Sequence, residues 1–402
     1  MIIPQQEYAK RRNKVLSSLR GSAGVIFAGE ENSLIESFWK PHAHFEYLTG
    51  IINEPGAMLL FDPTNPIKAK QIVLFLPPLN PEKEKWDGLR DELGNQLREE
   101  TGCQTILRTT YLHSVLLDIA LRSPSFATLM PPTSINSPVA PDLSLWRKLS
   151  ERIPNLQIKD SSSIIPKLRS IKSKNEIAII QKAVDITAEG FSKALKFVSP
   201  NLNEYKVQAT LEYGYSMAGG RGSAFPPIVG SGVNSTVLHY KDNNQKLNEG
   251  DLVCIDSGAS YGGYGADITR TVPVSGKFSK RQKEIYELVL KAEEKAIKAV
   301  KPGAKFNDID AAARNIIAKA GYGDYFIHGI GHHLGLETHD NCGPAAPLKA
   351  GAVITIEPGI YLPDEGFGVR IEDDILVTEK GRKNLSKAIP KTVLEIESVM
   401  QG

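Results

Sequence analysis

Between Ser173 and Glu372 the sequence is written twice, and this repeat limits what the chain can fold into more tightly than composition does. A helix opening at a Ser173–Glu176 capping box is followed by another near Asn203, then by strands carrying His239, Asp256 and Asp267. A helix opening at Ser279, with Gln282 as its capping-box partner, leads to one near Asn307, then to strands carrying His339, Glu357 and Glu372. Counterparts stay 100 to 106 residues apart. Caps and acids that keep one offset predict two α/β halves related by pseudo-symmetry, with their acids meeting at the centre. The first long helix shows its apolar face at Ile177, Ile180, Val184, Ala188, Phe191 and Leu195, and Pro200 stops it.

Upstream, short apolar runs (GVIFAG, AMLLF, QIVLFL) alternate with helix-like stretches up to about residue 160, the pattern of a mixed α/β domain. The polar stretch KDSSSIIPKLRSIKSK puts the boundary near residue 168, so domains are expected over 1–168 and 169–402. His42, His44 and His113 lie scattered there and read as structural histidines rather than ligands. Lys10, Arg11, Arg12 and Lys14 read as the solvated face of a first helix. With 48 basic against 46 acidic residues, the chain offers no field for nucleic acid or anionic lipid. It shows neither a leader-type apolar segment nor an apolar window long enough to cross a membrane, and Cys103, Cys254 and Cys342 have no disulfide spacing. A reducing, cytoplasmic setting is the expectation.

The chemistry concentrates in the repeat. Asp256 ends the apolar run LVCID, and Asp267 follows across the glycine-rich GASYGGYGA. A hairpin centred between Tyr261 and Gly262 would set the two aspartates directly opposite, with Cβ atoms about 5 Å apart. Like charges so close call for a cation between them. Glu357 closes AVITIE ahead of the turn-former Pro358–Gly359, and alternation in GVRIEDDILV puts Arg370, Glu372 and Asp374 on one strand face. Alone, Arg370 reads as a salt-bridge partner; beside four acids it becomes a site residue. Four histidines fall within HGIGHHLGLETHD, residues 328–340, whose glycines disfavour a helix. In extended chain His328 and His332 share one face, His333 and His339 the other. Carboxylates with one neutral imidazole form a hard, oxygen-rich set suited to pairs of Mn²⁺, Fe²⁺, Co²⁺ or Zn²⁺. Cys254 and Cys342 then read as ordinary buried thiols. Two such ions can hold a bridging hydroxide and polarise a carbonyl, which is hydrolase chemistry. The glycine-rich segment leads into the strand ADITRTV rather than a helix, so a nucleotide loop is not indicated.

These segments are similar to those of a known family. IVGSGVNSTVLHY (228–240), VCIDSGASYGGYGADITRT (253–271), HGIGHHLGLETHD (328–340), TIEPGIYL (355–362) and VRIEDDILVT (369–378) resemble the pita-bread metallopeptidases, in their aminopeptidase P branch, sister to prolidase. FEYLTGIINEPGAMLLF (45–61) resembles that branch's creatinase-like first domain. The resemblance implies an α/β (α+β) chain in which a creatinase-like N-terminal domain precedes a pseudo-symmetric pita-bread domain. It implies Asp256, Asp267, His332, Glu357 and Glu372 as ligands of two divalent ions, Mn²⁺ first, with Asp267 and Glu372 bridging. Glu357 would also be the general base. His239, His328 and His339 would line the proline pocket and bond the scissile carbonyl, and Arg370 would lie near the metals and the substrate's end. Gly331-His332-His333 departs from the branch's frequent Ser-His-Trp, and FWKPHAH (38–44) lacks its Arg and acids.

The implied activity is hydrolysis of the bond between a first residue and a proline at position two, on peptides of three or more residues, with dipeptides slower. The rival enzyme is a dipeptidase of the same fold, in which Arg370 would clamp the terminal carboxylate. Methionine aminopeptidases lack a first domain of this kind, creatinases lose the metal set, and a non-catalytic binding protein on this fold would have lost ligands. A homodimer or larger assembly is also implied.

Overall fold

The structure, a computed structural model, describes residues 3–31, 39–340 and 346–401. Cys342 and Phe38 therefore lie outside the described residues. The chain divides into two compact units, Ile2–Arg169 and Ser170–Gly402.

In the first unit, β1 (Ala23–Phe27), β2 (Met58–Phe61), β3 (Ile72–Leu76), β4 (Thr105–Arg108), β5 (Ser125–Thr128) and β6 (Gln157–Asp160) make one sheet ordered β4-β3-β2-β1-β5-β6. β2 runs antiparallel to β1 and β3, while β3–β4, β1–β5 and β5–β6 are parallel. The three apolar runs are β1 to β3, buried because helices cover the sheet. Trp146 packs 4.6 Å from Phe126 and satisfies its indole N–H on the Ala127 carbonyl at 3.0 Å. The basic cluster departs from expectation. Arg11 and Arg12 are buried in the helix Gln5–Ser18, donating to the carbonyls of Tyr47 and of Leu48 and Gly102. Only Lys10 and Lys14 face solvent; the planar guanidinium forks of Arg11 and Arg12 instead reach carbonyls at helix C-terminal ends. His42 accepts the His44 N–H at a helix start, His44 pairs with Arg169, and His113 is exposed.

In the second unit both capping boxes close, at Ser173–Glu176 for the helix Lys174–Phe197 and at Ser279–Gln282 for Lys280–Ala299. Each helix packs on its successor, Glu204–Met217 and Phe306–Lys319 respectively. The first half continues with β7 (Ile228–Ser231), β8 (Leu252–Ser257), β9 (Ser260–Tyr261), β10 (Tyr264–Gly265) and β11 (Ile268–Pro273). The second continues with β12 (Val353–Ile356), β13 (Gly359–Leu362), β14 (Phe367–Arg370), β15 (Asp373–Thr378) and β16 (Gly381–Asn384). The sheets are β11-β8-β7 and β12-β15-β16, with β9-β10 and β13-β14 as their hairpin tips. One apolar core, including Val253, Ile255, Val289, Ile354 and Ile375, runs through both halves.

Candidate active site

The two aspartates meet less directly than the sequence suggests. Gly262 and Gly263 both have positive φ, 56° and 85°, which makes the two-residue turn a primed one centred one residue later than expected. Thr269, not Asp267, therefore faces Asp256 across β8 and β11. A shift of two in register keeps the face, so Asp256 and Asp267 stand as diagonal neighbours at its rim. In the second hairpin the turn is not Pro358–Gly359, since Gly359 begins β13; the chain reverses at Pro363–Glu365 and the left-handed Gly366. Ile356 pairs with Asp373 and Gly359 with Arg370, and the same register carried through the break sets Glu357 opposite Glu372.

Histidine arrives from a third segment. His333 forms a lone bridge with Ile354, the His332 carbonyl accepts the Thr355 N–H at 2.9 Å, and the Ile330 carbonyl accepts that of Glu357 at 2.9 Å. This lays residues 330–333 alongside β12. A Cβ at Gly331 would lie 2.1 Å from the Thr355 carbonyl oxygen, so only glycine permits the approach. His332 Nε2 then reaches 3.5 Å from Asp267 Oδ2 and 3.4 Å from Glu357 Oε1. One donor atom each of Asp267, His332 and Glu372 lie within 4.8 Å of one another. Beyond His333 the chain bends at Gly335, so the expected faces do not hold. His339 comes back to within 4.2 Å of the His332 ring, whereas His333 packs edge-on against Phe306.

Asp256, Asp267, His332, His339, Glu357 and Glu372 line one cavity of about 600 Å³, with His239, His328, Arg370, Phe225, Pro226, Ile228 and Leu238. His239 is exposed on it, 6.5 Å from His339, and His328 bonds the Tyr361 hydroxyl at 2.8 Å. Arg370 is buried with every nitrogen engaged, Nη2 to Asp256 at 2.7 Å, Nη1 to the Tyr361 hydroxyl at 3.0 Å and Nε to the Thr269 hydroxyl at 3.2 Å. It lines the cavity while holding protein groups, Asp256 among them.

Electrostatics set the site's chemistry. Burial, then the neighbouring acids, push the Asp267 and Glu372 carboxyls well above the usual range. Burial raises Glu357 to about 7 against the pull of Arg370. Burial also lowers His332 and His328 to about 4, leaving neutral imidazoles fit to act as ligand or hydrogen-bond partner. Asp256 Oδ1 is buried without a hydrogen-bond partner. Four converging acids, a neutral imidazole and an orphaned carboxylate oxygen are a donor set waiting for divalent cations.

Several supporting residues escape a reading by motif. Thr269 joins the hairpins, donating to Glu372 at 2.7 Å while its carbonyl accepts the Glu372 N–H. Thr355 donates to Glu357 at 3.1 Å and accepts the His332 N–H at 3.0 Å. Arg270, fully buried, donates to the carbonyls of Thr269 and Glu372 and pairs with Asp373, tying both strands together. Alternation from Asp267 would have put Thr269 on the same face. Nothing in the sequence pointed to Arg270.

Residues 178–379 match the family model of metallopeptidase family M24, and residues 8–126 match the aminopeptidase P N-terminal domain. The chain is 34% identical to the Xaa-Pro aminopeptidase of Haemophilus influenzae, over 99% of this chain and 98% of that one. To the Xaa-Pro dipeptidase of Pyrococcus furiosus it is 43% identical, over 61% of this chain and 71% of that one. Among solved structures, Pseudomonas aeruginosa aminopeptidase PepP superposes with a TM-score of 0.88 at 30% identity, covering 100% of this chain and 98% of that one. Zinc-substituted Escherichia coli aminopeptidase P in complex with product superposes at 0.86 and 30% identity, covering 100% and 99%.

Proposed function

The chain belongs to metallopeptidase family M24, and from that membership we propose how its residues cut the bond between a first residue and a penultimate proline. It is a metal-dependent Xaa-Pro aminopeptidase. The observation that carries the proposal is the convergence of Asp267, His332 and Glu372 within 4.8 Å beside Glu357 and the orphaned Asp256 oxygen. Asp267 and Glu372 are the proposed bridging ligands of two ions, Mn²⁺ first with Zn²⁺, Co²⁺ or Fe²⁺ as alternatives. Asp256, His332 and Glu357 would complete the set that holds them. When bound, the ions supply a water of lowered pKa and polarise the scissile carbonyl.

The rest falls to the chain's own groups. Glu357, at 17% side-chain exposure against 12% for Asp256 and 6% for Asp267, is the most open of the four proposed metal-binding carboxylates. It takes the proton of the attacking water as the C–O bond forms, and hands it to the proline nitrogen as the C–N bond breaks. His339 and His239 flank the scissile carbonyl and hydrogen-bond it. His328, held by Tyr361, walls the ring pocket with the apolar Phe225 and Pro226. A pyrrolidine ring has no N–H to satisfy, so such a wall selects it by shape. Arg370, spent on Asp256, Tyr361 and Thr269, positions Asp256 and is not available to clamp a dipeptide carboxylate.

Residues 1–168 are proposed as a metal-free N-terminal domain and 169–402 as the catalytic domain. No helix among the described residues is long and apolar enough to cross a membrane, and Cys103 and Cys254 are free thiols. A cytoplasmic setting and a homodimer or larger assembly complete the proposal. The test is release of free arginine from Arg-Pro-Pro compared with free glycine from Gly-Pro, after Mn²⁺ loading. The tripeptide is expected to be the better substrate. Exclusive cleavage of the dipeptide, or equal cleavage with alanine in place of the proline, would overturn the reading.

A further inference from the structure

Five acids face the cavity, Asp256, Asp267, Glu337, Glu357 and Glu372, against two long cationic side chains, Arg370 and Lys241. Arg370 is spent. Lys241 is exposed on the cavity and forms no ion pair with any described residue.

Its placement is built rather than incidental. Between His239 and Lys241 lies Tyr240, buried, whose hydroxyl donates to Glu204 Oε2 at 2.8 Å. Glu204 is itself fully buried at the start of the helix Glu204–Met217. Its carboxylate also accepts the Ser231 N–H and hydroxyl at 2.7 and 2.8 Å and the Gln245 N–H at 3.0 Å. One buried carboxylate thus pins the chain on both sides of the segment and anchors the residue at its middle. Two residues of chain span at most roughly 7 Å, so the anchored backbone keeps the Lys241 Cα within that distance of the His239 Cα.

We propose that Lys241 reads a carboxylate carried by the substrate beyond its proline, either the side chain of an acidic third residue or the terminal carboxylate of a tripeptide. This rests on the reading of the cavity as an Xaa-Pro aminopeptidase site, with the proline beside His239. The chain leaving that proline passes the one long cation, among the described residues lining the cavity, that forms no ion pair there, while acids of the same cavity are suited to divalent ions. An exposed ion pair of this kind acts mainly on binding and weakens in salt.

The metal-loaded protein and its Lys241→Met and Lys241→Glu variants are given Gly-Pro-Glu-NH₂, Gly-Pro-Lys-NH₂ and Gly-Pro-Gly with a free carboxyl end. Gly-Pro-Gly-NH₂ is the neutral reference for each protein. The unmodified chain is expected to show a KM on the order of two- to fivefold lower for a carboxylate-bearing peptide, with little change in kcat and a loss of the preference in high salt. The acidic third residue and the free chain end are scored separately, which tells the two sources apart. Lys241→Met should level the series and Lys241→Glu should favour the lysine peptide. A preference that survives unchanged in both variants, or none in the unmodified chain, overturns the proposal. Calorimetric binding of Pro-Glu-NH₂ against Pro-Lys-NH₂ gives the same comparison without turnover. If no peptide is cut, the hydrolase reading fails, and the binding arm still decides Lys241.

Discussion

The two halves of the catalytic unit share a plan and differ where the chemistry needs them to. Beside β8, the first half lays a full strand, β7, with Ile228 opposite Asp256. Beside β12, the second half lays only residues 330–333, and the register of the His333–Ile354 bridge puts Ile330 opposite Glu357. Two residues on, His332 stands where the first half has Gly230. A Cβ at Gly230 would come within 2.7 Å of the Asn234 carbonyl oxygen, because the turn Gly232–Thr236 folds back against it. The first half is thus closed to an imidazole. The second half, with no such turn over it among the described residues, places an imidazole there, the proposed histidine ligand. The hairpins differ too. A two-residue glycine turn leaves Asp256 and Asp267 diagonal, whereas the longer second hairpin sets Glu357 and Glu372 face to face. Duplication supplied four acids; asymmetry made them a site.

The comparison can be broken most severely at an acid proposed to serve both ions. Asp267→Ala should reduce bound metal from about two ions per chain and cut turnover on the order of a thousandfold, the several kcal/mol that metal polarisation supplies. Elemental analysis after loading and dialysis, run beside the kinetics, checks this, and a fully active metal-free protein would refute it. Next comes the pairing of Glu357 with its own half. Glu357→Gln keeps an oxygen donor but removes the base, so kcat should fall about a hundredfold, with the metal content showing whether ligation survives. Near-normal turnover would exclude Glu357 as base.

A smaller effect sharpens the contrast at the counterpart of His332. Gly230→Ala forces a methyl against backbone and should cost about 1–3 kcal/mol in urea unfolding, as overpacking of a buried position does. A neutral outcome would show that the turn yields, and that closure of the first half is not steric. The smallest expected effect is one of pH. Asp267, Glu357 and Glu372 all have raised values in the folded chain, so without metal the native state binds more protons than the unfolded one. Their stabilising contribution is present below the ordinary carboxylate range and is lost as pH rises through about 7. Buried His332 and His328, lowered to about 4, act in the opposite sense below their ordinary value of 6.5, so the interval is set above it. The chelated protein should melt a few degrees lower at pH 8 than at pH 6.5, and added Mn²⁺ should offset the loss more at the higher pH, because ligands must be deprotonated to bind. Melting curves with and without chelator decide it; a chelated protein that gains stability over that interval would show these carboxyls are not the titrating groups.

How much of this could be read beforehand follows a simple line. The capping boxes at Ser173 and Ser279 need only residues three apart, and both formed as expected. The apolar runs of β1 to β3 and the shared face of Asp256 and Asp267 follow from local alternation. The pairing of Asp256 with Thr269 does not, since it hangs on whether the turn centres before or after Gly262. Likewise Arg11 and Arg12 read as solvated because nothing local announces the carbonyls of Tyr47, Leu48 and Gly102 that bury them.

The sequence by itself determined the duplicated α/β plan, the identity of the acids and histidines, and the chemistry such groups can support, because periodicity, caps and donor type are properties of near neighbours. Only the tertiary structure decided that Arg370 spends its nitrogens on Asp256, Tyr361 and Thr269, that His339 rather than His333 returns to His332, and that Lys241 is left as an uncommitted cation. Each of those outcomes depends on distances between segments tens to more than a hundred residues apart, and such distances are set by packing and register rather than by local preference.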